Sequence, residues 1–106
     1  MAIMARSLLA CLFSLALSTS SAQIGRDFDL TCAIASAAEI GVSGPDTTER
    51  NIALLVNAFY LGRLSGRDDQ TQWKAVIVER LAELKDKSLS EGGYAKCLDF
   101  YTENIK

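Results

Sequence analysis

The sequence predicts an all-α domain, a four-helix bundle-like fold joined by one disulfide, after a cleaved N-terminal signal peptide. Four stretches of the chain place apolar residues three and four positions apart, which is the helical period. Short segments rich in glycine, serine and aspartate separate these stretches, and such short connections favour antiparallel neighbours. The chain also holds two cysteines, Cys32 and Cys97, that lie far apart after the leader.

Residues 1–22 have the pattern of a secretory signal peptide. Arg6 is followed by an apolar stretch, and small residues precede Gln23, so we expect cleavage after Ala22. The apolar stretch is about ten residues long, against the ~20 that a membrane-spanning helix needs, so we expect no stable membrane insertion after cleavage. The alternative is a lipoprotein signal with Cys11 acylated, which the proximity of Arg6 disfavours.

Residues 23–106 are predicted to form a single helical domain, exported to the periplasm or secreted. An oxidising compartment makes a Cys32–Cys97 disulfide the expected state. The bond would close a loop of about 65 residues, and the chain-entropy model gives it roughly 4 kcal/mol of stabilisation. Two free thiols or a metal-binding pair are the alternatives. A closed zinc site is disfavoured, because without histidine or further cysteines its soft ligands are missing. We therefore predict no metal and no cofactor.

The first predicted helix covers residues 30–40, with Asp29 as its N-cap and Gly41 as its stop signal. Its alanines make it thin, so that neighbouring backbones could approach it closely. The second helix covers residues 47–64 and starts after Asp46, its predicted N-cap. Apolar residues widen the main face of this second helix, so we expect it to be the most buried.

The third predicted helix covers residues 69–85 after Asp68 as N-cap, and its apolar residues form a clean stripe. The fourth covers residues 89–103 after Ser88 as N-cap, although two glycines weaken its first turn. One face of the fourth helix is lined by Tyr94, Cys97, Leu98, Tyr101 and Ile105. The aromatic residues expected in the core are Trp73, Tyr94 and Tyr101.

Residues 59–67, FYLGRLSGR, form the densest local pattern, and we call Tyr60, Gly62, Arg63 and Arg67 the arginine corner. Gly62 within a helix costs about 1 kcal/mol relative to alanine and usually marks close backbone packing. Arg63 and Arg67 are four positions apart, which favours a structural role on helix carbonyls or on a carboxylate. The alternative is that both guanidinium groups bind an anionic ligand. Tyr60 lies off the main apolar stripe, and we expect it to be exposed.

Charge and composition exclude several classes of function. The predicted mature chain has ten basic and thirteen acidic side chains, a sum of −3, which does not suggest binding to nucleic acid. No histidine is present, which excludes Ser-His and Cys-His nucleophilic machinery. We therefore predict that the protein is not an enzyme.

The cysteine pair and the segment Phe59–Leu64 carry a resemblance to a group of small, mostly uncharacterised exported helical proteins of alphaproteobacteria. That resemblance implies export, helices and a cysteine near each end, and it implies no activity. The architecture is also similar to that of the Hde-type acid-resistance chaperones of the bacterial periplasm. In those proteins, too, a cysteine lies near the mature start, as in Leu30-Thr31-Cys32.

Two functions fit these observations. The first is a binding or chaperone-like stress protein of the periplasm: below about pH 4 carboxylates protonate, and the side-chain sum moves from −3 toward +10. Self-repulsion would then loosen the bundle and expose its apolar faces. The alternative is an interaction partner of another exported protein, such as an inhibitor, immunity protein or accessory subunit, which would use the surface around Tyr60, Arg63 and Arg67.

Overall fold

The structure of the protein, a computed structural model, describes residues 24–90 and 93–105 and places side chains over 24–83 and 93–105. These residues form four helices and no strand, so the all-α prediction is confirmed. The helices are α1 (24–42), α2 (Thr48–Arg67), α3 (Trp73–Ser90) and α4 (Gly93–Asn104). The predicted signal peptide, its cleavage site after Ala22 and Cys11 lie outside the described residues.

Helix α1 is the centre of the molecule. The five consecutive residues from Cys32 to Ser36 are each at most 1% exposed. Because an α-helix turns once in 3.6 residues, five buried neighbours mean that α1 is covered on every side there. Two of these five residues are alanines, Ala37 and Ala38 follow them, and these small side chains let other helices approach closely. The prediction that the second helix would be the most buried is wrong, since α2 buries four residues and α1 seven.

The predicted N-caps of the first two helices are also wrong. Helix α1 already includes residue 24, so Asp29 lies within the helix, where it is fully buried. Asp46 has a φ of 62°, in the left-handed region, and belongs to the turn before α2. The N-cap of α2 is Thr47, whose Oγ1 accepts a hydrogen bond from the Arg50 backbone N–H at 3.2 Å.

Helix α2 continues three residues beyond its predicted end, through Ser65 and Gly66 to Arg67. Asp68, predicted as the N-cap of the third helix, is instead the C-cap of α2. Its carboxylate accepts hydrogen bonds from the Thr71 hydroxyl and the Gln70 N–H, and these two bonds lower its pKa. The extension of α2 matters because it keeps Arg67 helical and one turn from Arg63.

The break between α3 and α4 lies later than predicted. Ser88, the predicted N-cap of the fourth helix, is inside α3, which ends at Ser90. Helix α4 begins at Gly93, after the two residues that the structure leaves undescribed. Ile105 follows the end of α4 and is exposed, so its predicted place on the apolar core face is wrong.

The disulfide is present and joins the central helix to the last one. The Cys32 and Cys97 sulfurs are 2.08 Å apart, the Cα atoms are 5.4 Å apart, and both residues are buried. Trp73 is buried as predicted, whereas Tyr94 and Tyr101 are half-buried against the core. The disulfide therefore fixes α4 to α1 within the core that all four helices share.

Candidate functional site

A buried aspartate bound by two arginines is the most distinctive site of the described structure. Asp29 of α1 is 0% exposed. Its Oδ1 accepts a hydrogen bond from Arg63 Nε at 2.8 Å, and its Oδ2 accepts one from Arg67 Nε at 2.9 Å. Both bonds are charge-assisted, which makes them roughly twice as strong as neutral ones. We call these three residues the Asp29 cluster.

The register of α1 against α2 places the cluster. Arg50 Nη1 donates to the Ile40 carbonyl at 2.9 Å, and Asn57 Nδ2 donates to the Ala33 carbonyl at 2.9 Å. The end of α1 therefore contacts the start of α2, and an earlier part of α1 contacts a later part of α2. The two helices are antiparallel. Arg63 and Arg67 lie one turn apart on α2, so both reach Asp29 near the start of α1.

Aromatic rings surround the guanidinium group of Arg63. Its Cζ lies 5.0 Å from the centroid of the Phe100 ring and 5.7 Å from that of the Phe59 ring. Both distances are within cation–π range. Phe28 extends this aromatic layer, with its ring centroid 5.1 Å from that of Phe100. The rings exclude water from part of the cluster and thereby strengthen its ion pairs.

The other guanidinium group, that of Arg67, lies against the backbone of α1 at Gly25. A Cβ atom added to Gly25 would come within 3.0 Å of Arg67 Nη2. Gly25 therefore leaves room for Arg67 to reach Asp29 from the outer side.

The Asp29 cluster carries one negative and two positive charges, a net charge of +1. The side chains of Arg63 and Arg67 are 34% and 36% exposed. Each arginine donates a hydrogen bond to Asp29 through its Nε. Among the described residues, the Nη groups of both arginines have no hydrogen-bond partner. The carboxylate of Asp29 on α1 is therefore the structural partner of both arginines. Their Nη groups remain as donors for a second anion.

Tyr60 is buried, so the prediction that it would be exposed is wrong. Its hydroxyl donates to the Cys97 carbonyl at 2.6 Å, which connects α2 to the disulfide-bonded turn of α4. Burial raises the pKa of Tyr60 to about 12, and the negative charge of Asp29 adds to this while Arg63 opposes it. The sequence missed this contact because the backbone carbonyl that Tyr60 binds is far along the chain.

Gly62 does not take part in the site. An added Cβ would have no described atom of another element within 4 Å, so the close backbone packing predicted at this glycine is wrong. Of the four residues of the arginine corner, Arg63 and Arg67 meet on Asp29, Tyr60 lies in the core beside them, and Gly62 is exposed.

Sequence reasoning missed Asp29 as a member of the site. The signal was its spacing: Asp29 precedes Cys32 by three positions and Ser36 by seven, so a helix that started earlier would bring all three to one face. Ser36 is likewise buried and polar, and its hydroxyl donates to the Cys32 carbonyl at 2.8 Å.

Comparison with known proteins adds no family: no protein-family model, curated protein or solved structure matches this chain. Among the described residues, no helix combines the length and apolar character that crossing a bilayer requires. The described side chains also include no group of three or more histidine, cysteine or acidic residues arranged to hold a metal ion.

Proposed function

We propose that this chain is a small exported binding protein of the chaperone-like kind, which opens in acid and holds apolar segments of other proteins. The observation that carries the proposal is the Asp29 cluster. Asp29 is the one charged residue among the buried residues of the described structure. A charge buried between two helices makes their contact depend on the charge state of that group.

Protonation of Asp29 would leave two guanidinium groups without their counter-charge. Arg63 and Arg67 would then repel each other without compensation, and the hydrogen bonds that they donate to Asp29 would weaken, because the acceptor is no longer charged. The hydroxyl of Tyr60, which also interacts with Asp29, is neutral in acid and supplies no replacement charge. Loss of the Asp29 charge would therefore weaken the contact between α1 and α2 at this end of the molecule.

The disulfide determines which helices can separate. Cys32 and Cys97 keep α1 and α4 together, so α2 is the helix that can move away from α1. Its inner face carries fully buried apolar side chains, among them Val56 and Leu64, and these would become accessible. Ile34 on α1 is also fully buried and would become accessible. These surfaces are what an unfolded client protein could bind.

Export to an oxidising compartment is the second part of the proposal. The disulfide supports it, since such bonds persist mainly in secreted and periplasmic proteins. The pattern of residues 1–22 supports it independently, as the sequence of a cleavable leader.

The test compares Asp29→Asn with the wild type and with the control Asp99→Asn. The neutral amide of Asp29→Asn imitates a protonated aspartate, so we expect this variant to bind an apolar dye near neutral pH, where the wild type does not. Asp99 is exposed on α4 and has no described partner, so its variant should open at the wild-type pH. Circular dichroism, dye fluorescence and a client-aggregation assay from pH 7 to pH 2–3 give the readouts.

Two results would count against the proposal. An unchanged fold at pH 2–3 with no protection of the client would exclude the acid response itself. Equal shifts for Asp29→Asn and Asp99→Asn would show that the general charge of the molecule, and not the Asp29 cluster, sets the opening pH. Stoichiometric co-purification with one other exported protein would favour the alternative function, that of a dedicated interaction partner.

A further inference from the structure

Helices α2 and α4 share a partly exposed apolar surface. We call it the α2/α4 face, and it consists of the exposed Ile52 and Leu55 and the half-buried Phe59 of α2, the half-buried Leu98 and Tyr101 of α4, and the exposed Ile105 that follows α4. Leu55 is 59% exposed and Ile105 is 56% exposed. The rings of Phe59 and Tyr101 join the two helices, with centroids 5.2 Å apart. Contiguous exposed apolar surface of this kind marks interaction sites.

One end of the α2/α4 face is acidic. Glu39 and Glu49 line a groove of about 100 Å³ together with Ile52, Tyr94 and Leu98. Glu39 accepts a hydrogen bond of 3.5 Å from the Ser43 hydroxyl, whereas Glu49 has no partner among the described residues. Glu49 is exposed in the first turn of α2, so its carboxylate is accessible to another molecule.

The opposite end of the same face is basic. Arg63 lies beside Phe59 and Phe100 there, within the Asp29 cluster of net charge +1. Glu49 and Arg63 are fourteen positions apart on α2, which is about four turns and about 21 Å along the axis. Ile52 and Phe59 lie between them on the same side of the helix.

We propose that two copies of the chain pair through the α2/α4 face in antiparallel orientation, with Glu49 of each copy against Arg63 of the other. Position 56 is midway between these two residues along α2, so a two-fold axis that crosses the α2/α4 face at this level, beside the exposed Leu55, forms both ion pairs at once. Such an interface uses the same patch on both copies, as closed two-fold dimers do. A parallel arrangement would bring like charges together, which is unfavourable.

The contacts of Arg63 allow this second role. Its Nε is engaged with Asp29, and its Nη groups can form further hydrogen bonds with an incoming carboxylate. Pairing would cover Leu55 and Ile105 on both copies. The inference does not depend on the proposed function, because it concerns the closed protein at neutral pH in the absence of a client.

The first test measures the association state of the purified disulfide-bonded protein at pH 7 by sedimentation velocity, from micromolar to millimolar concentration. We expect a monomer–dimer equilibrium whose dissociation constant rises at least tenfold for Leu55→Asp. The control is Leu54→Asp, at a neighbouring leucine that is 46% exposed on the α3 side of α2, which should leave the dissociation constant within twofold. A wild type that stays monomeric throughout would overturn the proposal, as would equal effects of the two variants.

The second test concerns the charged ends and avoids residues that hold the fold. Glu49→Arg should raise the dissociation constant at least tenfold, while the control Glu79→Arg on the exposed side of α3 should not. Raising the salt from 0.05 to 0.5 M should weaken the wild-type dimer, because salt screens exposed ion pairs. A dimer that Glu49→Arg leaves intact would contradict the antiparallel arrangement. A stable complex with a different exported protein in place of the dimer would also overturn it.

Discussion

At the scale of single residues, a few polar contacts decide how the helices of this protein meet. Asp29 is matched by Arg63 and Arg67, and no buried side-chain nitrogen or oxygen of the described residues lacks a hydrogen-bond partner. A polar group buried without a partner would cost on the order of 1–3 kcal/mol. These contacts are therefore specific: removing one partner costs more than the contact contributes, because the other partner remains buried.

The raised pKa of Tyr60 predicts that the free energy of unfolding falls at alkaline pH. An unfolded tyrosine ionises near pH 10, whereas the folded pKa of Tyr60 is about 12, so the unfolded state loses its proton first as pH rises. The stability that is fully present below pH 10 is then lost toward pH 12, by roughly 2 kcal/mol. Urea unfolding at a series of pH values measures this loss.

The variant for this measurement is Tyr60→Phe. It lacks the ionising hydroxyl, so its stability should fall less between pH 10 and pH 12 than that of the wild type. At neutral pH it should be less stable by about 0.5–1.5 kcal/mol, because the hydrogen bond to the Cys97 carbonyl is lost while that carbonyl keeps its place within α4. Tyr101→Phe serves as the control and should keep the alkaline loss. If both variants lose stability between pH 10 and pH 12 in parallel with the wild type, Tyr60 is not the source of the alkaline loss.

At the scale of helices, the sequence predicted the existence of each element better than its ends. The apolar period located all four helices, because the period follows from burial of one side. The caps failed because several polar residues compete for each end: Thr47 and not Asp46 caps α2, and Asp68 serves the end of α2 instead of the start of α3. Asp29 resembles a cap in sequence, but α1 begins five residues before it and its carboxylate pairs with two distant arginines.

At Gly62 of α2, we expect a substitution by alanine to stabilise the folded protein. The residue is helical and exposed, and a Cβ there would meet no atom of another described element within 4 Å. Gly62→Ala should therefore raise the free energy of unfolding by about 0.5–1 kcal/mol, since alanine is the better helix former. The reverse change at a neighbouring exposed site of the same helix, Ala58→Gly, should lower it by a similar amount. Destabilisation by Gly62→Ala in urea unfolding would indicate an undetected close contact at this position.

At the scale of the whole molecule, the central place of α1 could not be predicted from its sequence. Its alanines contribute little to an apolar stripe, so the helix reads as a thin surface element. The same small side chains let the other helices cover it, and burial on every side follows from the packing of the complete chain. Likewise, the two cysteines predicted the disulfide, but the site beside it depends on which carboxylate the arginines of α2 reach.

Reduction of the disulfide tests how much the covalent link contributes to this arrangement. The bond spans 65 positions of sequence, and the chain-entropy model assigns it roughly 4 kcal/mol. Urea unfolding with and without reductant should show a loss of this order. A variant with alanine at both cysteine positions should match the reduced protein and be insensitive to reductant. An unchanged midpoint on reduction would mean that helix packing alone holds α1 and α4 together.

The position of the two cysteines has a consequence for biogenesis. Synthesis proceeds from the N-terminus, and Cys97 follows Cys32 by 65 positions, with α2 and α3 between them. The innermost helix therefore cannot be oxidised until α2, α3 and the start of α4 have been made. A product truncated before α4 would leave the Cys32 thiol without its partner.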